Sequence, residues 1–161
     1  MTSKKIILAG SFGVGKTSLF SRFLYNTFSE KYLTTIGVKV DKKVVDIDGR
    51  KLTMIIWDVA GEVSQTKVPI NYLLGSSGII YVFDLSRPIT YTNMEEDIEY
   101  LNKTLPGALI KIVGNKKDLL SQEELTNTQK NIPLQSDIFT SAKTGENVEE
   151  LFHNIGKALI D

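Results

Sequence analysis

The stretch Ile6-Ile7-Leu8-Ala9-Gly10-Ser11-Phe12-Gly13-Val14-Gly15-Lys16-Thr17-Ser18 runs from an apolar segment straight into the pattern G-x-x-x-x-G-K-[ST], filled by Gly10, Gly15, Lys16 and Thr17. Beyond it, Leu19, Phe20, Phe23 and Leu24 recur at helical spacing. A strand, a glycine-rich turn and a helix in that order make a nucleotide-phosphate site rather than a chance turn. Small residues let successive backbone N–H groups face phosphate oxygens, Lys16 can reach the β and γ phosphates, and the Thr17 hydroxyl can ligate Mg²⁺. Such a loop binds phosphate without choosing the base.

Working outward, short apolar runs at Met54–Trp57, Ile79–Phe83 and Leu109–Val113 resemble Ile6–Ala9 and predict further buried strands, with Ile138-Phe139 as a short last one. Helical patterns separate most of them. Met94, Ile98, Leu101 and Leu105 form one apolar face, and Val148, Leu151, Phe152, Ile155 and Leu159 form another. Alternation of this kind predicts an α/β fold with a mostly parallel sheet. Asp48-Gly49 is a hairpin signal, joining a strand near Val38–Ile47 to one starting near Lys51, so that pair should be antiparallel.

The chain has 161 residues, 42% of them hydrophobic, which is enough for one buried core and too little for two ordinary domains. Without internal repeats or a linker-like composition shift, residues 1–161 are expected to form a single domain. Nineteen basic residues balance nineteen acidic ones. That balance argues against nucleic acid or an anionic membrane surface as the main partner, and the Lys42-Lys43 and Lys116-Lys117 pairs are too small for a nucleic-acid footprint. Cysteine is absent, which leaves no disulfide framework, no thiolate metal site and no acceptor for a lipid anchor in this chain. No apolar run reaches the length of a signal-peptide core or a membrane span, and a cytoplasmic location is expected.

Three further motifs follow, each just after an apolar run, where ligands gather in open parallel sheets. Asp58-Val59-Ala60-Gly61 is a D-x-x-G. A carboxylate at that strand end can hold Mg²⁺, usually through water, and a glycine N–H can approach a γ-phosphate closely; an Asp before a turn is also an ordinary strand ending. Asn115-Lys116-Lys117-Asp118 chooses the base. Guanine presents N1–H and a 2-amino group on one edge, and the Asp118 carboxylate can accept from both. Adenine offers an acceptor at N1 and no 2-amino group. Sites built on such bonds reject the wrong partner by about 10⁴-fold or more. Lys116 can lay its stem along the base or brace the phosphate loop. Finally, Thr140-Ser141-Ala142-Lys143 can direct a backbone N–H at guanine O6, with Lys143 against the base.

Taken in order, these motifs resemble those of Ras-superfamily small GTPases, with a Rab-like flavour, over nearly the whole chain. The resemblance implies a P-loop NTPase fold with a six-stranded, mostly parallel sheet, one antiparallel edge strand and about five helices. It implies binding of GDP and GTP with Mg²⁺ and slow hydrolysis of GTP. Nucleotide contacts would come from Gly13, Val14, Gly15, Lys16, Thr17, Ser18, Phe28, Thr35, Gly61, Asn115, Lys116, Asp118, Ser141, Ala142 and Lys143. Phe28 matches the aromatic that packs on the guanine. Thr35 matches the threonine that joins Thr17 and Asp58 at the metal only in the GTP state. Lys16, Thr35, Gly61 and Glu62 would serve hydrolysis, and Tyr32 could close over the phosphates. Segments near Ser29–Val38 and Ala60–Leu74 become switches I and II, read by protein effectors and regulators, with the chain itself a monomer.

Two residues depart from that pattern. Glu62 stands where the family usually has the glutamine that orients the attacking water; an ionised carboxylate accepts a proton but cannot donate a hydrogen bond. Phe12 stands where a small residue is common, and its ring could exclude water, cover the nucleotide, or block an arginine supplied by an activating protein. A GTP-bound binding module with negligible hydrolysis is therefore a second reading. A P-loop ATPase or small-molecule kinase is a third, disfavoured by Asp118. Trp57 fits the Rab pattern, whereas Val40 and Leu73 occupy positions where aromatics are expected to shape the effector surface. The region between Leu119 and Phe139 is short for the family, so its helix should span only a few turns. His153 is expected to be structural or at the surface.

Overall fold

Ile6, Ile7, Leu8 and Ala9 read as one apolar run because the strand that carries them is covered on both faces. The computed structural model describes residues 2–29, 37–59 and 68–161. In it, β1 (Thr2–Gly10) sends Ile6 and Leu8 to one hydrophobic layer and Ile7 and Ala9 to the other. β4 (Gly78–Asp84) divides Ile80 and Val82 from Ile79, Tyr81 and Phe83 in the same way. Together with β2 (Val38–Ile47), β3 (Arg50–Val59), β5 (Leu109–Asn115) and β6 (Ile138–Phe139) they make a six-stranded sheet in the order β2-β3-β1-β4-β5-β6. Every neighbouring pair is parallel except β2 with β3.

That exception is the predicted hairpin. Ile47 pairs with Arg50, and the two residues between them, Asp48 and Gly49, both take positive φ, at 52° and 89°. This is the two-residue turn whose twist matches its flanking strands. Asp46 Oδ1 accepts from the Gly49 N–H at 2.7 Å and tightens it.

The described residues contain five α-helices: α1 (Lys16–Tyr25), α2 (Ile70–Leu73), α3 (Met94–Thr104), α4 (Gln122–Gln129) and α5 (Val148–Ile160). One layer packs α1 and α5 on the sheet through Leu19, Phe20, Phe23, Val148, Leu151, Phe152 and Ile155. The rings of Phe23 and Phe152 stack at its centre, 3.8 Å between centroids. On the opposite face Leu73 of α2, Met94 and Leu101 of α3, and Leu125 of α4 pack against β4 and its neighbours. α4 has only eight residues, as the short segment requires. Its start is secured by a capping box, with Ser121 Oγ accepting from the Glu124 N–H at 3.1 Å and Glu124 Oε1 from the Ser121 N–H at 3.0 Å. No helix among the described residues is long and apolar enough to cross a membrane.

Parallel register places the motifs side by side. Leu8 pairs with Asp58, Gly10 with Val82, Asp84 with Asn115, and Gly114 with Phe139. The carboxyl ends of β1, β3, β4, β5 and β6 therefore share one rim, and β1 lies where the chain turns from building one half of the sheet to the other.

Candidate functional site

The loop after β1 is shaped by two glycines whose replacement would collide with backbone or with a neighbouring motif. At Gly10, φ is 137° and a Cβ would fall 2.1 Å from the Val82 carbonyl oxygen. At Gly15, φ is 103° and a Cβ would fall 2.2 Å from Asn115 Nδ2. The loop therefore hugs both β4 and the Asn115 motif. α1 begins directly after Gly15, so its first-turn N–H groups and the positive end of its dipole face the same rim.

Lys16 and Thr17, the first residues of α1, are only 7% and 8% exposed. Lys16 Nζ donates to the Gly10 carbonyl at 2.6 Å, which curls the lysine back over its own loop. Thr17 Oγ1 donates to Asp58 Oδ2 at 2.7 Å, and Asp58 is fully buried at the end of β3. A hydroxyl and a carboxylate are hard oxygen donors. Such a pair fits Mg²⁺, which takes few protein oxygens and fills its octahedron with water and phosphate.

The Asn115–Asp118 motif is tied to the phosphate loop by two side chains, Asn115 and Lys116. Asn115 Nδ2 donates to the Val14 carbonyl at 3.0 Å, and Asn115 Oδ1 accepts from Thr140 Oγ1 at 3.0 Å and the Ala142 N–H at 3.3 Å. One buried amide thus fastens the loops after β1, β5 and β6 together. Lys116 takes a left-handed backbone conformation, φ 67°, and its Nζ donates to the Gly13 carbonyl at 2.9 Å while pairing with Asp84 Oδ2 at 2.9 Å. Of the two roles foreseen for Lys116, the phosphate-loop brace is present. Asp118 is exposed at the rim, with Oδ1 accepting from Ser141 Oγ at 2.7 Å.

The structure thus brings Gly13, Val14, Gly15, Lys16, Thr17, Asp58, Asn115, Lys116, Asp118, Ser141 and Ala142 into one connected network. Ser18 follows in α1, Lys143 lies exposed beside Ala142, and Phe28 is partly buried against the α1–α5 layer. Tyr32, Thr35, Gly61 and Glu62 lie outside the described residues, as does most of both expected switch segments. Phe12 is 53% exposed beside the phosphate loop.

Sequence reasoning missed two participants. Asp84 ends the buried run of β4 just as Asp58 ends that of β3, so a carboxylate closing an apolar strand was a usable signal. Arg87, which places Nη1 3.4 Å from the Gly13 carbonyl, carried none. Leu73 is buried under the sheet, and the neighbouring Tyr72 instead meets Trp57, with 6.3 Å between ring centroids. Lys5 Nζ lies over the Trp57 ring, 3.7 Å from its centroid, and burial lowers the Lys5 pKa below its usual range. Trp57 is thus a packing residue, and His153 is exposed on α5.

Comparison with known proteins agrees with this arrangement: the family model described as Ras family matches residues 5–161. The chain belongs to the Ras family. It is Rab-like within it, being 38% identical to Ras-related protein Rab-1 of Theileria annulata over 98% of this chain and 74% of that protein. It is 39% identical to Ras-related protein Rab-4 of Dictyostelium discoideum, over 92% of this chain and 75% of that protein. For Ras-related protein SEC4 of Saccharomyces cerevisiae the identity is 35%, over 96% and 74%. The Ras-family fold, a six-stranded sheet with one antiparallel edge strand and five helices, is the architecture described above. The chain is a small GTPase of the Rab-like group.

Proposed function

We propose that this Ras-family chain is a single-domain, monomeric, cytoplasmic switch that binds GDP and GTP with Mg²⁺, hydrolyses GTP slowly and presents switches I and II to protein partners. The observation that carries the reading is the Asn115 amide, which locks Val14 of the phosphate loop to Thr140 and Ala142 of the base-reading loops. Phosphate and base are then bound by one rigid assembly. Asp118 accepts hydrogen bonds from the guanine N1–H and 2-amino group, and the loop from Gly13 to Ser18 wraps the phosphates.

Mg²⁺ would be held by Thr17, by Asp58 through water, and by Thr35 in the GTP state; when bound it neutralises charge on the β and γ phosphates. The chain's own residues do the rest. Lys16, which already bends over the loop to Gly10, can exchange that carbonyl for phosphate oxygens. Gly61 offers its N–H to the γ-phosphate, and Glu62 is the water-positioning residue.

A second reading, a GTP-bound binding module with negligible hydrolysis, draws on Phe12, whose exposed ring stands beside the loop where an incoming arginine would have to pass. Single-turnover phosphate release from protein loaded with GTP and Mg²⁺, run beside Glu62→Gln, separates the two. Release near ~10⁻⁴ s⁻¹ supports the cycling switch; no release over many hours from wild type, restored in Glu62→Gln, supports the binding module.

A further inference from the structure

Arg22 lies on α1 beyond Lys16 and Thr17, and its guanidinium leaves the helix for a loop 120 residues away. Nε donates to the Ala142 carbonyl at 2.8 Å and Nη2 to the Lys143 carbonyl at 2.6 Å, while Nη1 donates to Asn26 Oδ1 at 3.1 Å. Two successive carbonyls gripped by one rigid, planar fork have their peptide planes set by it, in a way that a lysine's point charge could not match. In a trans peptide the N–H points opposite to the carbonyl of the same plane. Drawing the Lys143 carbonyl toward α1 therefore turns the Thr144 N–H away from it.

That N–H has a definite destination. It donates to Ser141 Oγ at 3.1 Å, and the same hydroxyl donates its proton to Asp118 Oδ1 at 2.7 Å. A continuous relay runs from the Arg22 guanidinium through the Lys143–Thr144 peptide and the Ser141 hydroxyl to the Asp118 carboxylate. Each bond in it orients and polarises the next. Because the Thr144 N–H occupies a lone pair of Ser141 Oγ, the hydroxyl proton is directed at Asp118. Gly145 belongs to the same packing, since a Cβ there would lie 3.8 Å from the Arg22 side chain.

We propose that Arg22 is a positioning residue for base selection: through this relay it fixes the carboxylate of Asp118 against the guanine edge. The inference rests on the reading of Asp118 as the guanine-binding group. It also ties that group to the helix that carries the phosphate-binding lysine, so base and phosphate recognition share α1.

The test compares GDP with IDP, whose hypoxanthine base lacks the 2-amino group, by competition against a fluorescent GDP analogue. It uses wild type, Arg22→Gln and Arg22→Lys, each alone and combined with Ser141→Ala, with folding checked by thermal melting. Wild type should bind GDP about tenfold or more tightly than IDP. Both Arg22 variants should lower that ratio by about threefold or more, and should have no further effect on it once Ser141 is alanine. Equal weakening of GDP and IDP, or an unchanged ratio, or effects of Arg22 and Ser141 that simply multiply, would overturn the inference while leaving the guanine site intact. Wild type that binds neither nucleotide would instead overturn the reading of the site and this inference with it.

Discussion

Thr17 Oγ1 donates to Asp58 Oδ2 across 2.7 Å, joining the first turn of α1 to the buried end of β3. The contact sets side by side the two oxygens that the proposed Mg²⁺ site would use, and pairs the buried carboxylate. Asp58→Ala should leave GDP binding largely indifferent to Mg²⁺. In wild type, EDTA should speed release of a fluorescent GDP analogue by about tenfold or more, as expected when a metal contact is removed. In the variant the acceleration should be small, and an undiminished EDTA effect would rule out the metal role of Asp58.

Asp118 accepts from Ser141 and stands exposed at the rim, and the proposed function gives it the guanine edge with two donors. Asp118→Ala should remove most of the preference for GDP over ADP, a discrimination of about 10⁴-fold in sites of this kind. Competition binding with both nucleotides measures it. ADP affinity should change little, because the phosphate loop is untouched.

Phe23 and Phe152 join α1 to α5 by parallel stacking within the fully buried layer. Phe152→Ala should destabilise the fold by about 3–5 kcal/mol, through lost burial and the cavity it leaves. Urea unfolding with and without GDP checks this. Because the ring lies in the core, the loss should be present in both conditions.

Tyr25 donates to Asp41, linking α1 to the edge strand β2. The bond holds the Asp41 carboxyl below its ordinary 3.8, with the Lys42 N–H as a second cause. It is also the main reason that the Tyr25 hydroxyl sits above its ordinary 10.0. Asp41 therefore adds stability at pH values above 3.8 that is lost as pH falls through its lowered folded pKa. Tyr25 adds stability below pH 10.0 that is lost as pH rises through its raised one. The melting temperature of Tyr25→Phe should lie below that of wild type by a small, constant amount at intermediate pH, and the two should converge at both extremes. A gap that persists at both ends would show that the pair does not titrate as described.

The fold was legible in the sequence wherever one short segment carries its own instruction. The run Ile6–Ala9 before Gly10 predicted a doubly covered strand, Asp48-Gly49 predicted the hairpin, and the two apolar faces from Met94 and Val148 predicted α3 and α5. Each depends on local periodicity or on a backbone angle that few residues tolerate. Even the rim could be anticipated, because four motifs each follow a strand that parallel pairing must align.

The succession of elements and the chemistry at their ends could thus be read from the residues alone. Which side chains join those ends follows from the packed chain: Arg22 with the Ala142 and Lys143 carbonyls, Asp84 with Lys116, and Tyr72 with Trp57. The physical reason is one of range. Periodicity records how each residue faces its own element, whereas a hydrogen bond across 120 residues depends on the relative placement of α1 and the loop after β6, which the packing of the α1–α5 layer sets.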